Sequence, residues 1–417
     1  MKFVIAVHGT RGDVEPCAAV GCELQRRGHD VALAVPPNLV GFVESTGLPP
    51  ALPYGVDSQQ QLESEAFQDH WKIRNPISAL RSAKEYVTQG WAQMNETLTA
   101  LAADADLILT GTTYQEVAAN VAEHYGIPLA ALHYFPARVN HHVVPVPLPR
   151  AVLKAGWTAI EWGHWRLLKE ADDAQRDQLG IPKSQVRAVR RMIDGGALEI
   201  QAYDKVLFPG LAEEWRGLRP IVGSITMGLG TSTDDEVASW VAAGTPPIYF
   251  GFGSMPVDSP IEAVAMITAV CAELGERALI SSGVWDLSGV QQADHVKIVG
   301  SVNHAAVFPT CRAVVHHGGS GTTAASLRSG VPTVVLWVNA DQPVWAAQVK
   351  KLGAGVSRRF SATTPASLAA ALREVLTPKY AARAREVAAQ MTTPADSVAA
   401  AADLLEDAVR GDAAKPA

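Results

Sequence analysis

The sequence predicts an α/β protein made of two doubly wound, Rossmann-like domains. Three observations carry that expectation: short, wholly apolar runs that stop at glycine turns, helical periodicity directly after each run, and a second start of the same alternation after a turn-rich break beyond residue 208. A chain of 417 residues is long for one hydrophobic core and suits a pair. Its 35 Lys and Arg stand against 42 Asp and Glu, a net charge of −7, with 48% hydrophobic and 18% charged residues. That balance excludes a disordered chain and a basic nucleic-acid binder. No apolar run approaches the length of a membrane span and no leader-like segment precedes Lys2, so the chain reads as soluble and cytoplasmic. Cys17, Cys22, Cys271 and Cys311 lack C-x-x-C spacing, which implies neither a zinc site nor a disulfide frame.

Phe3-Val4-Ile5-Ala6-Val7 reads as a buried parallel strand ending at His8-Gly9-Thr10. Asp13 is placed to cap the helix that follows, with Pro16 in its first turn and apolar residues at Val14, Ala18 and Leu24 until Gly28 stops it. A strand over residues 31–35 completes one βαβ unit, and a strand over 107–109, a helix over 115–125 and a strand over 129–132 repeat it. After the proline-rich stretch 145–149 comes a Trp-rich helix over 152–171. There Trp157, Ile160, His164, Trp165 and Leu168 form one stripe, read as core; Trp162 lies off it and fits an acceptor wall or a membrane-touching edge. The second half restarts with strands over 248–252, 278–280, 296–299, 313–315 and 333–338, a helix over 261–274, and a last helix over 397–409. The expected domains are 1–208, a linker over 209–235, 236–395, and a segment 396–417 whose helix returns to the first domain before a frayed tail. Two such halves face each other across a cleft at their strand ends, where ligands of open parallel sheets bind.

The strongest local signal is His316-His317-Gly318-Gly319-Ser320-Gly321-Thr322-Thr323, a strand end running through glycines into a helix. Glycines admit close backbone approach, and the free N–H groups of a helix start favour an anion. The hydroxyls of Ser320 and Thr322 and a nitrogen of His316 complete a diphosphate clamp; a plain βα turn is the alternative. Gly253-Ser254 ends another strand of the same half in an equivalent place. Asp341-Gln342 can hydrogen-bond vicinal sugar hydroxyls, or Asp341 can simply cap a helix that carries Pro343 in its first turn. In the first half, Thr10, Arg11 and Asp13 lie at the end of the first strand, with Asp13 either a general base or a helix cap. Asp104-Ala105-Asp106 has the Asp-x-Asp form of metal-using transferases but precedes its strand, at the wrong end of the sheet for a ligand. No G-x-G-x-x-G follows the first strand, which argues against a nicotinamide enzyme.

Taken together, the segments 8–16, Gly253-Ser254, 316–323 and Asp341-Gln342 resemble the inverting nucleotide-sugar glycosyltransferases of the GT-B fold, the family of UDP-glycosyltransferases and antibiotic glycosyltransferases. The segments 7–17 and 246–254 look most like the mycobacterial glycopeptidolipid glycosyltransferases, which attach deoxysugars such as rhamnose. The resemblance implies an N-terminal acceptor domain and a C-terminal donor domain. It implies Asp13 as base; Thr10, Arg11, Ser254, His316, Gly319, Ser320, Gly321 and Thr322 around the donor diphosphate; and Asp341 and Gln342 on the donor sugar. Ser301 and Val302 fall where the nucleobase is received, without the stacking tryptophan of plant members. Trp71, Tyr134 and Phe135 are candidate acceptor contacts, each also readable as core.

The implied reaction is a single displacement with no metal and no resident cofactor. Its donor is a dTDP-linked deoxysugar of the rhamnose type or UDP-glucose. Its acceptor is a hydrophobic small molecule or lipopeptide, which would bring transient peripheral contact with the inner face of a membrane. Other readings are a nucleotide-sugar 2-epimerase on the same fold, a sterol or lipid glucosyltransferase using UDP-glucose, and a non-catalytic sugar-nucleotide binder.

Overall fold

The apolar runs become strands, and the strands pair in parallel throughout. The computed structural model describes residues 1–63, 76–143, 149–253, 259–287 and 289–411. Trp71 and Ser254 lie outside the described residues. Two units divide the chain: residues 1–202, 210–225 and 393–417 form the first, and residues 203–209 and 226–392 the second. The breaks thus fall at other positions than the expected 208, 235 and 395, because Tyr203 and Phe208 pack on Trp345 of the second unit while residues 210–225 belong to the first.

In the first unit, β1 (Lys2–Ala6), β2 (Asp30–Val35), β3 (Leu52–Pro53), β4 (Leu107–Thr110), β5 (Leu129–His133) and β6 (Leu198–Gln201) stand in the order β3-β2-β1-β4-β5-β6. Ile5 lies opposite Leu33 on one side and Leu109 on the other, a register that leaves the strand buried on both faces. Helix α1 (Arg11–Arg26) lies on the Ile5 face of this sheet, with Gly21 against Ile5, and α2 (Trp91–Ala102), α3 (Gln115–Tyr125) and α4 (Arg150–Gln178) cover the other. Val4, Ala6 and Ile108 meet Met94 and Leu98 of α2, Val117 and Val121 of α3, and Leu168 of α4 in one core.

Helix α1 corrects the expected cap. Thr10, in extended conformation, is the N-cap, and Asp13 is the third helical residue. Pro16 therefore lies inside the helix, where its ring removes the bond to the carbonyl of Gly12; that carbonyl belongs to an exposed residue, so water can satisfy it. Helix α4 is longer than expected and does not bury the whole of its predicted stripe: Leu168 is buried, but Ile160 is 65% exposed. Strands β3 and β6 escaped the sequence reading because each is short and carries few apolar residues.

The second unit repeats the plan with β7 (Ile248–Gly251), β8 (Ala278–Ser281), β9 (Val296–Val299), β10 (Ala313–His316), β11 (Thr333–Trp337) and β12 (Gly355–Arg359), in the order β12-β11-β10-β7-β8-β9. Read from β9, this is the same 3-2-1-4-5-6 order as the first sheet, with its switch point between β7 and β10. Strand β12, ending Arg358-Arg359, was missed because an edge strand can be polar. On one face α5 (Pro260–Leu274) brings Val264 and Ile267 against Phe250, Ile280 and Val315. Helices α6 (Ser320–Arg328) and α7 (Gln342–Leu352) follow β10 and β11, and α8 (Pro365–Val375) adds Leu368 and Leu372 to the same core. The last helix, α9 (Pro394–Arg410), belongs to the first unit, where Arg27 binds Asp403 at 2.6 Å and Glu406 at 3.2 Å.

Candidate active site

In the second unit the turns after β7, β10 and β11 all leave the carboxyl ends of adjacent parallel strands, the side on which open sheets bind ligands. After β10, Gly318 adopts φ +97°, and a methyl there would come within 2.9 Å of Val335 and 3.2 Å of the Gln342 Cβ. Only glycine lets the chain turn this tightly against the start of α7. A methyl on Gly319 would approach His317 Nε2 to 2.6 Å, and one on Gly253 would approach its Cε1 to 3.0 Å. The two glycine turns therefore close on one imidazole.

His316 is fully buried at the end of β10, and its Nδ1 accepts the Gly318 N–H at 3.0 Å. That bond puts the proton on Nε2, which is buried without a partner among the described residues. Burial, with His317 and His304 nearby, holds its pKa well below the usual value, so the ring is neutral. Helix α6 then starts at Ser320 with Gly319 as N-cap, no side-chain cap and no acidic residue in its first turn. Ser320, Gly321 and Thr322 are partly exposed, whereas Thr323 turns inward and donates to the Gly319 carbonyl at 2.8 Å. Uncapped N–H groups, two hydroxyls and a buried imidazole N–H make a donor set suited to a phosphate.

Asp341 proves to be the N-cap residue of α7, with Pro343 in the first turn, and its Oδ2 accepts the Trp345 indole N–H at 2.7 Å. Burial raises its pKa, opposed by that hydrogen bond. Gln342 is buried, and its Oε1 accepts the N–H groups of Val338 at 2.7 Å and Asn339 at 3.2 Å. The pair thus holds the turn after β11 together, directly behind Gly318. Val302 lies in the core that also holds Tyr249 and Val314, on the face toward which alternation places His316. Ser301 is exposed, and its carbonyl accepts the Thr233 hydroxyl at 2.7 Å.

In the first unit the turn after β1 folds a carboxylate back over itself. Asp13 Oδ2 accepts the Thr10 N–H at 2.7 Å and the Thr10 hydroxyl at 3.1 Å. Gly9, at φ +144°, makes room: a methyl there would sit 2.4 Å from the same oxygen. Tyr134 donates to the Asp13 main-chain carbonyl at 2.6 Å and meets the Cys17 sulfur at 3.2 Å. It is buried, so it positions the start of α1 and does not line an open surface; Phe135 beside it is half-buried. Arg11 is exposed, pairs with Glu15 at 3.1 Å and lies 4.7 Å from the Phe42 ring centre. His8 points elsewhere, its Nε2 donating to the Val56 carbonyl at 2.9 Å. Asp104 and Asp106 both bind Lys2, at the amino ends of β4 and β1.

The structure therefore assembles His316, Gly319, Ser320, Gly321, Thr322, Asp341 and Gln342 around neighbouring turns of one sheet, and Thr10, Arg11 and Asp13 around one turn of the other. Sequence reasoning missed Gly9 and Tyr134 as partners of Asp13. The Thr-x-x-Asp spacing of a capping box was the available signal for the turn, but nothing local points to Tyr134, 121 residues away.

Comparison with known proteins places both turns inside matched domains. The glycosyltransferase family 28 N-terminal domain matches residues 3–141, and the erythromycin biosynthesis protein CIII-like C-terminal domain matches residues 281–406. An uncharacterized glycosyltransferase of Mycobacterium tuberculosis is 62% identical, over 98% of this chain and 99% of its own. The vancomycin aglycone glucosyltransferase of Amycolatopsis orientalis is 30% identical, over 98% of each chain. Among solved structures, the glycosyltransferase VinC in complex with dTDP is similar at a TM-score of 0.67 and 18% identity, covering 99% of this chain and 100% of its own.

Proposed function

Because the chain belongs to the GT-B glycosyltransferases of the family 28 and erythromycin CIII-like type, and so is a glycosyltransferase, we propose an inverting, metal-independent transfer with Asp13 as general base. The sugar moves from a nucleoside diphosphate to a hydroxyl of a hydrophobic acceptor. A dTDP-linked deoxysugar of the rhamnose type is the first donor to test, ahead of UDP-glucose, and the dTDP bound by a neighbour of the same fold supports that order. A glycopeptidolipid or related natural product is the proposed acceptor, reached by peripheral contact with the inner face of a membrane. The observation that carries the reading is the start of α6 without a side-chain cap, two residues beyond the turn of His316, whose buried Nε2 has no partner among the described residues.

In the proposed step the Asp13 carboxylate takes the proton of the acceptor hydroxyl. The oxygen attacks the anomeric carbon from the side opposite the diphosphate, the bond to the diphosphate oxygen breaks, and the nucleoside diphosphate leaves with its electron pair. The start of α6 and the His316 N–H meet the charge that develops on the leaving phosphate. Donors of this kind, hydroxyls and amides in place of carboxylates, suit a diphosphate held without a bridging cation. Thr10 fixes Asp13 in one rotamer, so that the base is oriented before the acceptor arrives. Arg11 beside it, and Ser254 in the other unit, are proposed as further diphosphate contacts, with Ser301 and Val302 at the nucleobase and Asp341 and Gln342 at the sugar.

The test is Asp13→Asn with a panel of dTDP- and UDP-sugars. Thermal stabilisation by donor should persist while transfer falls about 10²–10⁴-fold. Unchanged turnover removes Asp13 from the mechanism, and sugar isomerised from donor alone identifies a 2-epimerase.

A further inference from the structure

The largest fully buried side chain among the described residues is Trp345, in the first turns of α7. Its ring is held edge-on by Phe208 at 5.7 Å and by Tyr203 at 6.3 Å, and those two buried rings meet each other at 5.4 Å. Phenylalanine or leucine would fill such a core with no polar atom to satisfy, whereas a buried tryptophan needs a partner for its N–H. That partner is Asp341, whose Oδ2 lies 2.7 Å from the indole nitrogen. Satisfying an indole does not in itself call for a carboxylate. A main-chain carbonyl or an asparagine accepts the same bond without a charge to desolvate, and desolvation is what raises the Asp341 pKa.

The other oxygen of the carboxylate is unused. Among the described residues, Oδ1 of Asp341 accepts a hydrogen bond from no other residue, and Asp341 itself is partly exposed, which leaves this oxygen to a ligand. The turn that carries it is braced: Gln342 Oε1 takes the N–H groups of Val338 and Asn339, and the chain passes through Ala340 at φ +55°, a left-handed conformation that alanine adopts only under constraint. The same turn lies against Gly318, where an added methyl would come within 3.2 Å of the Gln342 Cβ. Asp341 therefore stands one residue from the contact with the turn that leads into α6. Of the rotamers open to a partly exposed aspartate, the indole N–H selects one, and the two rings hold the indole in place.

We propose that Trp345 is a positioning residue for recognition of the donor sugar: its N–H holds one oxygen of the Asp341 carboxylate and so aims the other at a sugar hydroxyl. This rests on the reading of Asp341 as a donor-sugar contact. It acts on the sugar and not on the nucleoside diphosphate, which that reading assigns to the start of α6. Calorimetric titration of the full chain with dTDP, dTDP-rhamnose, UDP and UDP-glucose gives, for each nucleotide, the ratio of the sugar nucleotide's dissociation constant to that of the bare diphosphate. Trp345→Phe keeps an aromatic ring in the core and loses the N–H. It should raise the ratio about tenfold in the pair that the chain binds, with the affinity for the bare diphosphate changed less than about twofold. Asp341→Ala should raise the ratio at least as much, and the double variant no further, since Trp345 acts through Asp341. Phe208→Leu loosens the same core but keeps the N–H, so its melting temperature should fall while the ratio stays within about twofold of the native one. A ratio unchanged in Trp345→Phe, where Asp341→Ala raises it, overturns the positioning role and leaves the sugar contact standing. An equal rise in Phe208→Leu, or additive rises in the double variant, also overturns it, because loosened packing then suffices. An unchanged ratio in Asp341→Ala, or binding of none of the four nucleotides, refutes the sugar contact itself and the positioning role with it.

Discussion

Two turns of this molecule are built on the same pattern and arrive at opposite chemistry. His8-Gly9-Thr10-Arg11-Gly12-Asp13 leads into α1, and His317-Gly318-Gly319-Ser320-Gly321-Thr322 leads into α6. Each has a histidine, a glycine at positive φ, an N-cap residue, a glycine at the second helical position and a polar residue at the third. In the first, the third residue is Asp13, whose carboxylate returns to the N-cap N–H and closes the helix start on itself. In the second it is Thr322, and the N-cap is a glycine with no side chain to offer. One helix start has supplied its own anion; the other has no acidic residue in its first turn. The difference teaches that a glycine-rich βα turn is not in itself a phosphate site, and that the third helical residue decides whether the turn carries a carboxylate of its own.

The strongest way to break the comparison is to make the second turn into the first. Thr322→Asp puts a carboxylate at the third position of α6, where it should stabilise the free protein by roughly 0.3–1 kcal/mol. The stabilisation by dTDP, about 2.7 kcal/mol at a hundred times its dissociation constant, should disappear. Calorimetric melts with and without dTDP read both, and a preserved donor shift would show that α6 does not hold the diphosphate. Gly9→Ala works on the first turn alone. Its methyl would meet Asp13 Oδ2 at 2.4 Å, so turnover should fall on the order of ten- to a hundredfold while the dTDP shift stays.

A smaller effect separates the units by pH. Burial first, against one backbone hydrogen bond, lowers His317 to about 4, and burial first, with Arg138 nearby, lowers His133 to about 3. Both are depressed from an unfolded value of about 6.5, so their stabilising contribution is complete above about 6.5 and is lost as pH falls through that value toward the folded ones. Melting followed between pH 7 and 4.5 should show stability falling on acidification by on the order of 2 kcal/mol for each group. Replacing His133 by Gln should remove part of the slope without changing donor binding. The smallest effect is that of Tyr134→Phe, which removes one hydrogen bond to the Asp13 carbonyl. It should cost about 1 kcal/mol of stability, with a modest fall in kcat and none in donor affinity.

Much of the glycine turn after β10 was readable because its determinants are local. A strand end, three glycines and two hydroxyls within seven residues specify backbone conformation and exposed donors together, and no distant partner is needed. The turn after β1 was less readable for the complementary reason. Tyr134 has the apolar body and polar tip of either a ligand contact or a core residue, and only its bond to the carbonyl of Asp13 tells the two apart. Asp341 could hold a sugar or cap a helix on the same residues; the structure puts it at the N-cap position, with its side chain on the Trp345 indole, and only the latter contact is invisible in the order of side chains.

By itself the sequence determined two Rossmann-like halves and the glycine turns at their strand ends. Continuous apolar runs bury a parallel strand wherever they occur, and glycine alone tolerates the positive φ at Gly9 and Gly318. Only the tertiary structure decided that Tyr134, 121 residues away, holds the start of α1. It also decided which half of α4 is packed. The Trp-rich run has helical spacing from end to end, but the neighbours that bury it, Asn120 and Trp91, reach only its last turns, and Ile160 and Trp162 are left facing outward. Periodicity sets which residues share a face; what that face meets depends on chain far away in sequence.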